Sequence, residues 1–421
     1  MTNNQIFKQT EIGKIPNGWE VVAIKEICRV KRGASPRPIG DPSYFSDSGR
    51  GWIRISDVTD ARKFLRKTSQ YLSKKGEERS VKVNPGDLIM SICATIGKPI
   101  ILDMEACVHD GFVWFSDLSS NVDIEYLFYV LQKNEFTFSS KRQTGTQGNI
   151  NTSLVGMTNI PLPHLPEQKK IAEILSTVDQ GIEKVDEAIK KTKRLKNGLM
   201  QELLSKGIGH KEFKDTEIGR IPKEWEIAPL KEVVDINKET RDPKREFPGK
   251  TFSYIDIDSI ENGTGIIKGA KEILGKEAPS RARRLIRYYD VLMSTVRPYL
   301  KAFAIVPTEL HGQICSTGFA VLTCKERLLP LYLLNTLFNK PVINQCNKMM
   351  VGAQYPALNS SQVEKIKIPV PPLTEQRKIA EILGAVDKRL ELLRSRKERL
   401  ERIKKGLMED LLTGRKRVKL N

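Results

Sequence analysis

The sequence predicts an α+β protein with two tandem-duplicated mixed α/β domains, each followed by a long helix. The helices are expected to pair as a long antiparallel two-helix coiled coil with pseudo-two-fold symmetry. Three observations predict this fold: a repeat with a period near 207 residues, two heptad stripes, and short alternating segments between them. The predicted boundaries are 1–160 for the first domain, 161–215 for the first helix, 216–368 for the second domain, and 369–421 for the second helix and a basic tail.

Three matched segments establish the duplication. Residues 10–20, TEIGKIPNGWE, return as residues 216–226, TEIGRIPKEWE, at an offset of 206. Residues 160–175, IPLPHLPEQKKIAEIL, return as residues 368–383, IPVPPLTEQRKIAEIL, at an offset of 208. The segment GLMQELL at 198–204 returns as GLMEDLL at the same offset. Because such long matches do not arise by chance, the chain carries one fold twice.

A weaker skeleton joins these anchors within each copy. Residues 52–58 and 254–260 both alternate apolar and polar side chains, which predicts a half-buried strand. Residues 86–91 and 289–294 both predict a turn that leads into an apolar strand. The predicted strand segments repeat in both copies but the loops between them differ, which is typical of one fold that recognises two different ligands.

The segment after each Glu-Gln dipeptide predicts a helix with a coiled-coil seam, because its apolar positions alternate in steps of four and three. The predicted seam consists of Ile171, Leu175, Val178, Ile182, Val185, Ile189, Leu199 and Leu203, and of Ile379, Leu383, Val386, Leu390, Leu393, Leu400, Leu407 and Leu411. Polar residues interrupt it at Thr192, Lys196, Lys397 and Lys404. Such breaks either set the register or lie where the seam meets a partner.

Connectivity predicts an antiparallel pair. The first helix leaves the first domain and ends at Gly207 and Gly209, close to the second domain. The second helix buries its apolar stripe on the first only if it runs back, because a parallel course would expose that stripe to water. The carboxyl terminus is therefore expected near the first domain.

Composition favours a polyanionic partner. The chain has 70 Lys+Arg against 51 Asp+Glu, a net charge of +19, and nucleic acid is the commonest partner of such a surface. No stretch approaches the ~20 apolar residues of a spanning helix, and residues 1–8 lack the apolar core of a signal peptide. We therefore expect a cytoplasmic protein that does not enter membranes.

Catalytic and metal signatures are weak in this sequence. The six cysteines form no CxxC pair, the four histidines are scattered, and no GxxxxGK[ST] loop occurs. The chain is therefore expected to bind no metal or cofactor and to be no enzyme by itself.

Polar loops rich in Arg, Lys, Gln and Asn are the best candidates for DNA contact, because these side chains neutralise phosphates and read base edges. In the first copy the candidates are Lys31, Arg32, Arg37, Arg54, Lys98, Lys141, Arg142, Gln147 and Asn149. In the second copy they are Arg281, Arg283, Arg284, Arg297, Lys301, Lys348, Gln354 and Tyr355.

The duplicated motifs resemble those of type I restriction-modification specificity (S) subunits over essentially the whole chain. The resemblance implies two target-recognition domains that each read one half of a split double-stranded DNA site, with helices that fix their separation. It further implies methyltransferase (M) subunits, two per chain, and restriction (R) subunits as partners. Those partners would carry S-adenosylmethionine, ATP and magnesium.

Two alternatives stay open from the sequence. The chain could be a tandem coiled-coil adaptor whose basic domains meet acidic protein partners. It could also serve a fused restriction–modification enzyme rather than separate M and R subunits. Steep salt dependence together with a preferred bipartite sequence would favour DNA binding over the adaptor.

Overall fold

The structure is a computed structural model that describes residues 6–135, 138, 150–350 and 356–420. The chain divides into two units. Unit 1 consists of residues 1–186 and 396–421, and unit 2 consists of residues 187–395. Each unit therefore contains one mixed domain and one part of each long helix.

Two larger mixed sheets form the body of the domain in unit 1, with strand orders β4-β13-β10-β11-β7 and β5-β8-β6-β12-β9. Two small sheets, β1-β2 and β14-β3, flank them. The strands are β1 Phe7–Thr10, β2 Gly13–Pro16, β3 Glu20–Ala23, β4 Arg29–Arg32, β5 Phe45–Ser46, β6 Arg50–Ile53, β7 Phe64–Leu65, β8 Gln70–Leu72, β9 Val81–Val83, β10 Leu88–Ser91, β11 Pro99–Leu102, β12 Ala106–Val108, β13 Phe112–Ser116 and β14 Asn159–Leu162.

Unit 2 has sheets of strand order β18-β25-β22-β23 and β20-β19-β24-β21, flanked by β15-β16 and β17-β26. The strands are β15 Phe213–Thr216, β16 Gly219–Pro222, β17 Glu226–Pro229, β18 Val234–Ile236, β19 Thr251–Ile255, β20 Lys271–Leu274, β21 Ala282–Leu285, β22 Val291–Ser294, β23 Phe303–Ile305, β24 Ile314–Ser316, β25 Phe319–Cys324 and β26 Lys367–Val370.

Short helices connect these strands, and two long helices follow the domains. The short ones in unit 1 are α1 Ile24–Ile27, α2 Ile55–Asp60, α3 Lys74–Glu77, α4 Ile124–Lys133 and α5 Thr152–Gly156. The long helices are α6 Leu165–Lys206 and α12 Leu373–Leu411. The short ones in unit 2 are α7 Leu230–Val233, α8 Pro243–Glu246, α9 Pro330–Phe338, α10 Lys340–Met349 and α11 Ser360–Glu364.

The sequence repeat is also a repeat of topology. Within the larger sheets, β4-β13-β10-β11 corresponds to β18-β25-β22-β23, and the parallel pair β6–β12 corresponds to β19–β24. The described part of unit 1 adds β5 and β7 at the sheet edges. The prediction of two mixed α/β domains of one fold is confirmed.

One predicted strand ends earlier than the alternation indicates. In unit 1 the strand stops at Ile53, and the Asp57 carboxylate accepts a hydrogen bond from Arg54 N at 2.8 Å where α2 begins. In unit 2 the corresponding strand stops at Ile255, and Asp256 accepts from Ser259 N at 3.1 Å. A carboxylate that caps a helical turn competes with the extended backbone, which alternation alone does not register.

The long helices follow their heptad pattern. All sixteen predicted seam residues are buried or half-buried. The polar positions Thr192 and Lys196 also face inward, whereas Leu195 and Ile403 are 54% and 50% exposed. The helix α6 ends at Lys206, and the next residue, Gly207, has a positive φ of 65°, which suits a residue without a side chain.

Two ion pairs show that the long helices run antiparallel in unit 1, and one further ion pair joins them in unit 2. In unit 1, Lys404 Nζ lies 2.7 Å from Asp179 Oδ1, and Lys397 Nζ lies 2.8 Å from Asp186 Oδ1. In unit 2, Lys196 Nζ lies 2.6 Å from Asp387 Oδ1. Between the two ion pairs of unit 1, the residue number rises along α6 and falls along α12, as the predicted antiparallel packing requires.

A buried glutamine anchors the start of each long helix to its domain. The amide nitrogen of Gln168 donates to Pro163 O at 2.7 Å and to Asn121 O at 2.9 Å, and its oxygen accepts from Asp123 N at 2.8 Å. Gln376 repeats this pattern with Pro371 O, Arg327 O and Leu329 N at 2.8–2.9 Å. Both side chains are fully buried. These bonds explain why the Glu-Gln dipeptide occurs in both copies.

We expect Gln376→Ala to lower the free energy of unfolding of unit 2 by about 2–4 kcal/mol, because it leaves two carbonyls and one amide of the backbone without partners. Urea unfolding of the full chain measures this loss. The neighbouring exposed Arg377→Ala is the matched control and should change it by less than about 0.5 kcal/mol. Equal effects of the two substitutions would contradict the anchoring role.

Candidate nucleic-acid interface

Predicted cations of unit 1 gather at the turn between β12 and β13. Arg32 Nε donates to Asp110 O at 2.8 Å, and Arg37 Nη2 lies 2.8 Å from Asp110 Oδ2. The Ser35 hydroxyl donates to the same carboxylate at 2.7 Å. The side chain of Arg37 remains 68% exposed. The backbone carbonyl of Asp110 thus orients the guanidinium group of Arg32 and its carboxylate that of Arg37, which leaves a surplus of positive charge at the surface.

Burial and charge fix the ionisation of this turn. Burial lowers the pKa of His109, and the charge of Arg54 lowers it further against the opposing effect of Asp110. Burial would raise the pKa of Asp110, but its hydrogen bond from Ser35 and the charge of Arg37 hold that pKa below its usual value. Near neutral pH the turn therefore carries a neutral imidazole, an ionised carboxylate and the surrounding arginines.

Two further predicted cations of unit 1, Lys31 and Lys98, have partners other than Asp110. Lys31 Nζ lies 3.5 Å from Asp117 Oδ2 and 5.0 Å from the centroid of the Trp114 ring. Lys98 Nζ donates to Thr59 O at 2.7 Å. The predicted contacts Lys141, Arg142, Gln147 and Asn149 lie outside the described residues, as do Gln354 and Tyr355 of the second copy.

The arginines of β21 in unit 2 have different surroundings. Arg283 Nη1 lies 2.6 Å from Asp242 Oδ2, and its hydrogen bond and charge lower the pKa of that carboxyl. The half-buried Arg284 donates to Asn237 Oδ1 and to Phe319 O, and burial lowers its pKa. Arg281 is exposed. Arg284 therefore serves the interior of the domain, while Arg281 leaves its charge at the surface.

A strained turn in unit 2 carries two further candidates. Arg297 and Lys301 both have left-handed backbone conformations, with φ of 48° and 58°, on either side of the short helical turn Pro298–Leu300. Lys301 Nζ donates to Phe338 O at 3.0 Å. Such backbone strain outside glycine clusters at functional sites, so this turn stays a candidate for DNA contact.

A basic cleft in unit 2 contains cations that the sequence analysis does not select. Its volume is about 700 Å³, and Lys301 and Lys348 lie on its wall. Further cations on the same wall are Lys196, Arg220, Lys340 and Lys367. Lysine and arginine are common along the whole chain, with 70 residues together, so composition gives no signal for these four. Only the packing of unit 2 brings them together.

The cysteines lie in apolar surroundings. Burial raises the pKa of Cys28 and Cys324 to about 12 and that of Cys107 to about 11. Within the described ranges, no group of three or more His, Cys, Asp and Glu side chains could hold a metal ion. In the same part of the chain, no helix is both long and apolar enough to cross a membrane.

Comparison with known proteins gives consistent matches over both copies. The family model of the type I restriction modification DNA specificity domain matches residues 16–192 and 222–402. The type I restriction enzyme MjaVIII specificity subunit of Methanocaldococcus jannaschii is 29% identical, over 98% of this chain and 96% of its own length. The putative MjaX specificity subunit of the same organism is 32% identical, over 98% and 97%.

A solved structure shares the fold. The type I restriction-modification system S subunit from M. genitalium superposes with a TM-score of 0.59 at 16% identity, and the match covers 98% of this chain and 97% of that one.

We expect Arg284→Ala to lower the free energy of unfolding of unit 2 by about 1–3 kcal/mol, because it removes a half-buried donor from two acceptors, Asn237 Oδ1 and Phe319 O. Urea unfolding measures the change. The exposed Arg281→Ala is the control and should stay within about 0.5 kcal/mol of the wild type. Unchanged stability in Arg284→Ala would contradict the internal role and return Arg284 to the candidates for DNA contact.

Proposed function

Because the chain belongs to the family of type I restriction-modification DNA specificity subunits, we propose that it selects the DNA sequence on which a type I complex acts. Residues 1–160 and 216–368 are proposed as its two recognition domains. Each reads one half of a bipartite site. The observation that carries this proposal is the use of one topology twice with differently placed surface cations.

The difference between the surfaces supports an asymmetric site. In unit 1 the arginines gather around Asp110 at the turn between β12 and β13. In unit 2 the candidates are the exposed Arg281 and the half-buried Arg297 and Lys301, which lie on either side of the turn Pro298–Leu300. Recognition of bases depends on which donors reach which groove positions. Two surfaces with different donors favour two different half-sites, so the full site should not be a palindrome.

The long helices are proposed to fix the spacing between the half-sites. A helix of 42 residues, such as α6, is about 60 Å long at 1.5 Å per residue. Exposed apolar side chains, among them Leu195, Leu392 and Ile403, remain on the helices. These side chains support the helices as the docking surface for methyltransferase subunits.

Chemistry is assigned to the partner subunits. Adenine methylation would belong to M subunits, two per chain, and translocation and cleavage to R subunits. S-adenosylmethionine, ATP and magnesium would bind to those partners. The complex is proposed to work in the cytoplasm, beside the DNA on which it acts.

Methylome sequencing tests the function directly. DNA from cells that express this chain with its neighbouring methyltransferase is compared with DNA from cells that lack only this chain. We expect a split, asymmetric motif with N6-methyladenine in each half, present only with the chain. A methyltransferase that modifies the same sites without the chain would contradict a specificity role.

Matched insertions test the spacing role. One heptad is inserted into each long helix, between residues 187 and 188 and between residues 395 and 396. Seven residues add about 10 Å of helix, so the gap should widen by roughly three base pairs while both half-sites stay the same. Methylome sequencing reads the new gap. In the control, the seven residues that follow each insertion point are replaced by a different heptad without any change in helix length, and the gap should stay that of the wild type. A gap that stays unchanged after the insertions would refute the spacing role of the helices.

A further inference from the structure

We propose that the basic cleft of unit 2 binds phosphate groups of the DNA backbone and so holds DNA without reading its sequence. This inference rests on the proposed function. The cleft lies between one face of α6, the β15–β16 hairpin and the helix α10. It adds residues that the sequence analysis did not select as DNA contacts.

The cleft carries a strong excess of positive charge. Its cationic side chains are Lys196, Arg220, Lys301, Lys340, Lys348 and Lys367, and Glu217 is its carboxylate. Two of the lysines are already paired: Lys196 with Asp387 at 2.6 Å and Lys367 with Glu217 at 2.5 Å. Four cations of the cleft lie outside these two ion pairs.

Lys301 has no carboxylate partner within 4.0 Å among the residues that the structure describes, but its Nζ donates to Phe338 O at 3.0 Å. Three further cations also have no carboxylate partner in that part of the chain: Arg220, Lys340 and Lys348. All three are exposed. Lys340, Asn344 and Lys348 follow each other at intervals of four on α10, which places them on one face of that helix. Asn344 also lines the cleft. A row of two ammonium groups and an amide suits an extended run of phosphates better than a single small anion.

Comparison of the two units shows one difference in charge at the cleft. In unit 1, Lys133 Nζ lies 3.2 Å from Glu409 Oε2 on α12. The sequence repeat matches Glu409 with Gln201 of α6, which lines the cleft in unit 2. Unit 2 therefore has a neutral side chain at a place where unit 1 has a carboxylate.

Continuity with the candidate interface favours DNA as the ligand. Lys301 and Lys348 line the cleft and also belong to the predicted DNA contacts, although Lys348 lies on α10 and not in a loop. Lysine acts on phosphate as a compact point charge, and contacts to phosphate position a protein on DNA without reporting the bases. A free nucleoside triphosphate offers the same phosphate chemistry, so the experiment has to separate these two sources.

The test uses the full-length chain and a duplex with the site identified by methylome sequencing. The double variant Arg220→Gln with Lys340→Gln is compared with the wild type by fluorescence anisotropy over a series of salt concentrations. Two lost phosphate contacts should reduce the slope of log affinity against log salt by about two and weaken binding roughly 10- to 60-fold at 0.1 M salt. The preference for the correct second half-site over a shuffled one should stay within about twofold of the wild type.

The control variant is Lys388→Gln with Arg389→Gln, which removes one lysine and one arginine that are exposed on α12. It should leave the salt slope unchanged. Urea unfolding of both variants should match the wild type, because all four side chains are exposed.

Each remaining outcome decides against a definite part of the proposal. An unchanged salt slope in the cleft variant, with sequence preference intact in the wild type, overturns the cleft as a phosphate site and leaves the proposed function standing. A reduced slope with no sequence preference in the wild type overturns the proposed function and leaves the cleft. If the cleft variant loses ATP binding, as measured by calorimetry, but binds DNA like the wild type, the cleft binds a free nucleoside triphosphate and not DNA. Loss of methyltransferase assembly alone assigns it to an acidic protein segment.

Discussion

The fold depends on the buried Glu-Gln pair that begins each long helix. In unit 1, Glu167 accepts from Trp19 Nε1 at 3.0 Å and from Arg417 Nη2 at 2.7 Å. In unit 2, Glu375 accepts from Trp225 Nε1 at 2.9 Å and lies 2.9 Å from His210 Nε2. Each glutamate thus joins the start of one helix, the opening hairpin region of the domain, and the segment that follows the other helix. An unpaired buried carboxylate is costly, so these contacts specify where the segments meet.

The seam of the long helices combines apolar packing with buried charge. Lys196 is only 8% exposed, and its charge is compensated by Asp387. Lys404 and Asp179 form the corresponding pair in unit 1, where burial lowers the pKa of Lys404 against the charge of Asp179. Replacement by leucine would avoid the desolvation cost, but apolar contacts tolerate several registers. A buried ion pair forms in one register, which suits helices that act as a spacer.

In both domains, the residues that form the sheets differ from the surface cations that are proposed to contact DNA. The strand orders that define the sheets repeat between the copies, whereas the surface cations do not. Asp110 organises arginines in the first copy, while the second copy has a basic cleft beside α6 and α10. Because the sheets bury the shared apolar positions, loops and helix faces can change their charges with little effect on the core.

The sequence by itself determined the duplication, the presence of a long helix after each domain, and the inward positions of the seam. Periodicity is a local property, and burial of one helix face follows from it. It also indicated polar segments with surplus positive charge, whose contact with DNA stays a prediction; the structure places Arg32 and Arg283 in strands and Lys348 on α10. Only the tertiary structure decided that Arg284 bonds inside its domain and that Lys196, Arg220, Lys340 and Lys367 share one cleft. Those outcomes depend on contacts between residues far apart in the chain, and the chemical type of a side chain does not reveal whether a distant segment will supply its partner.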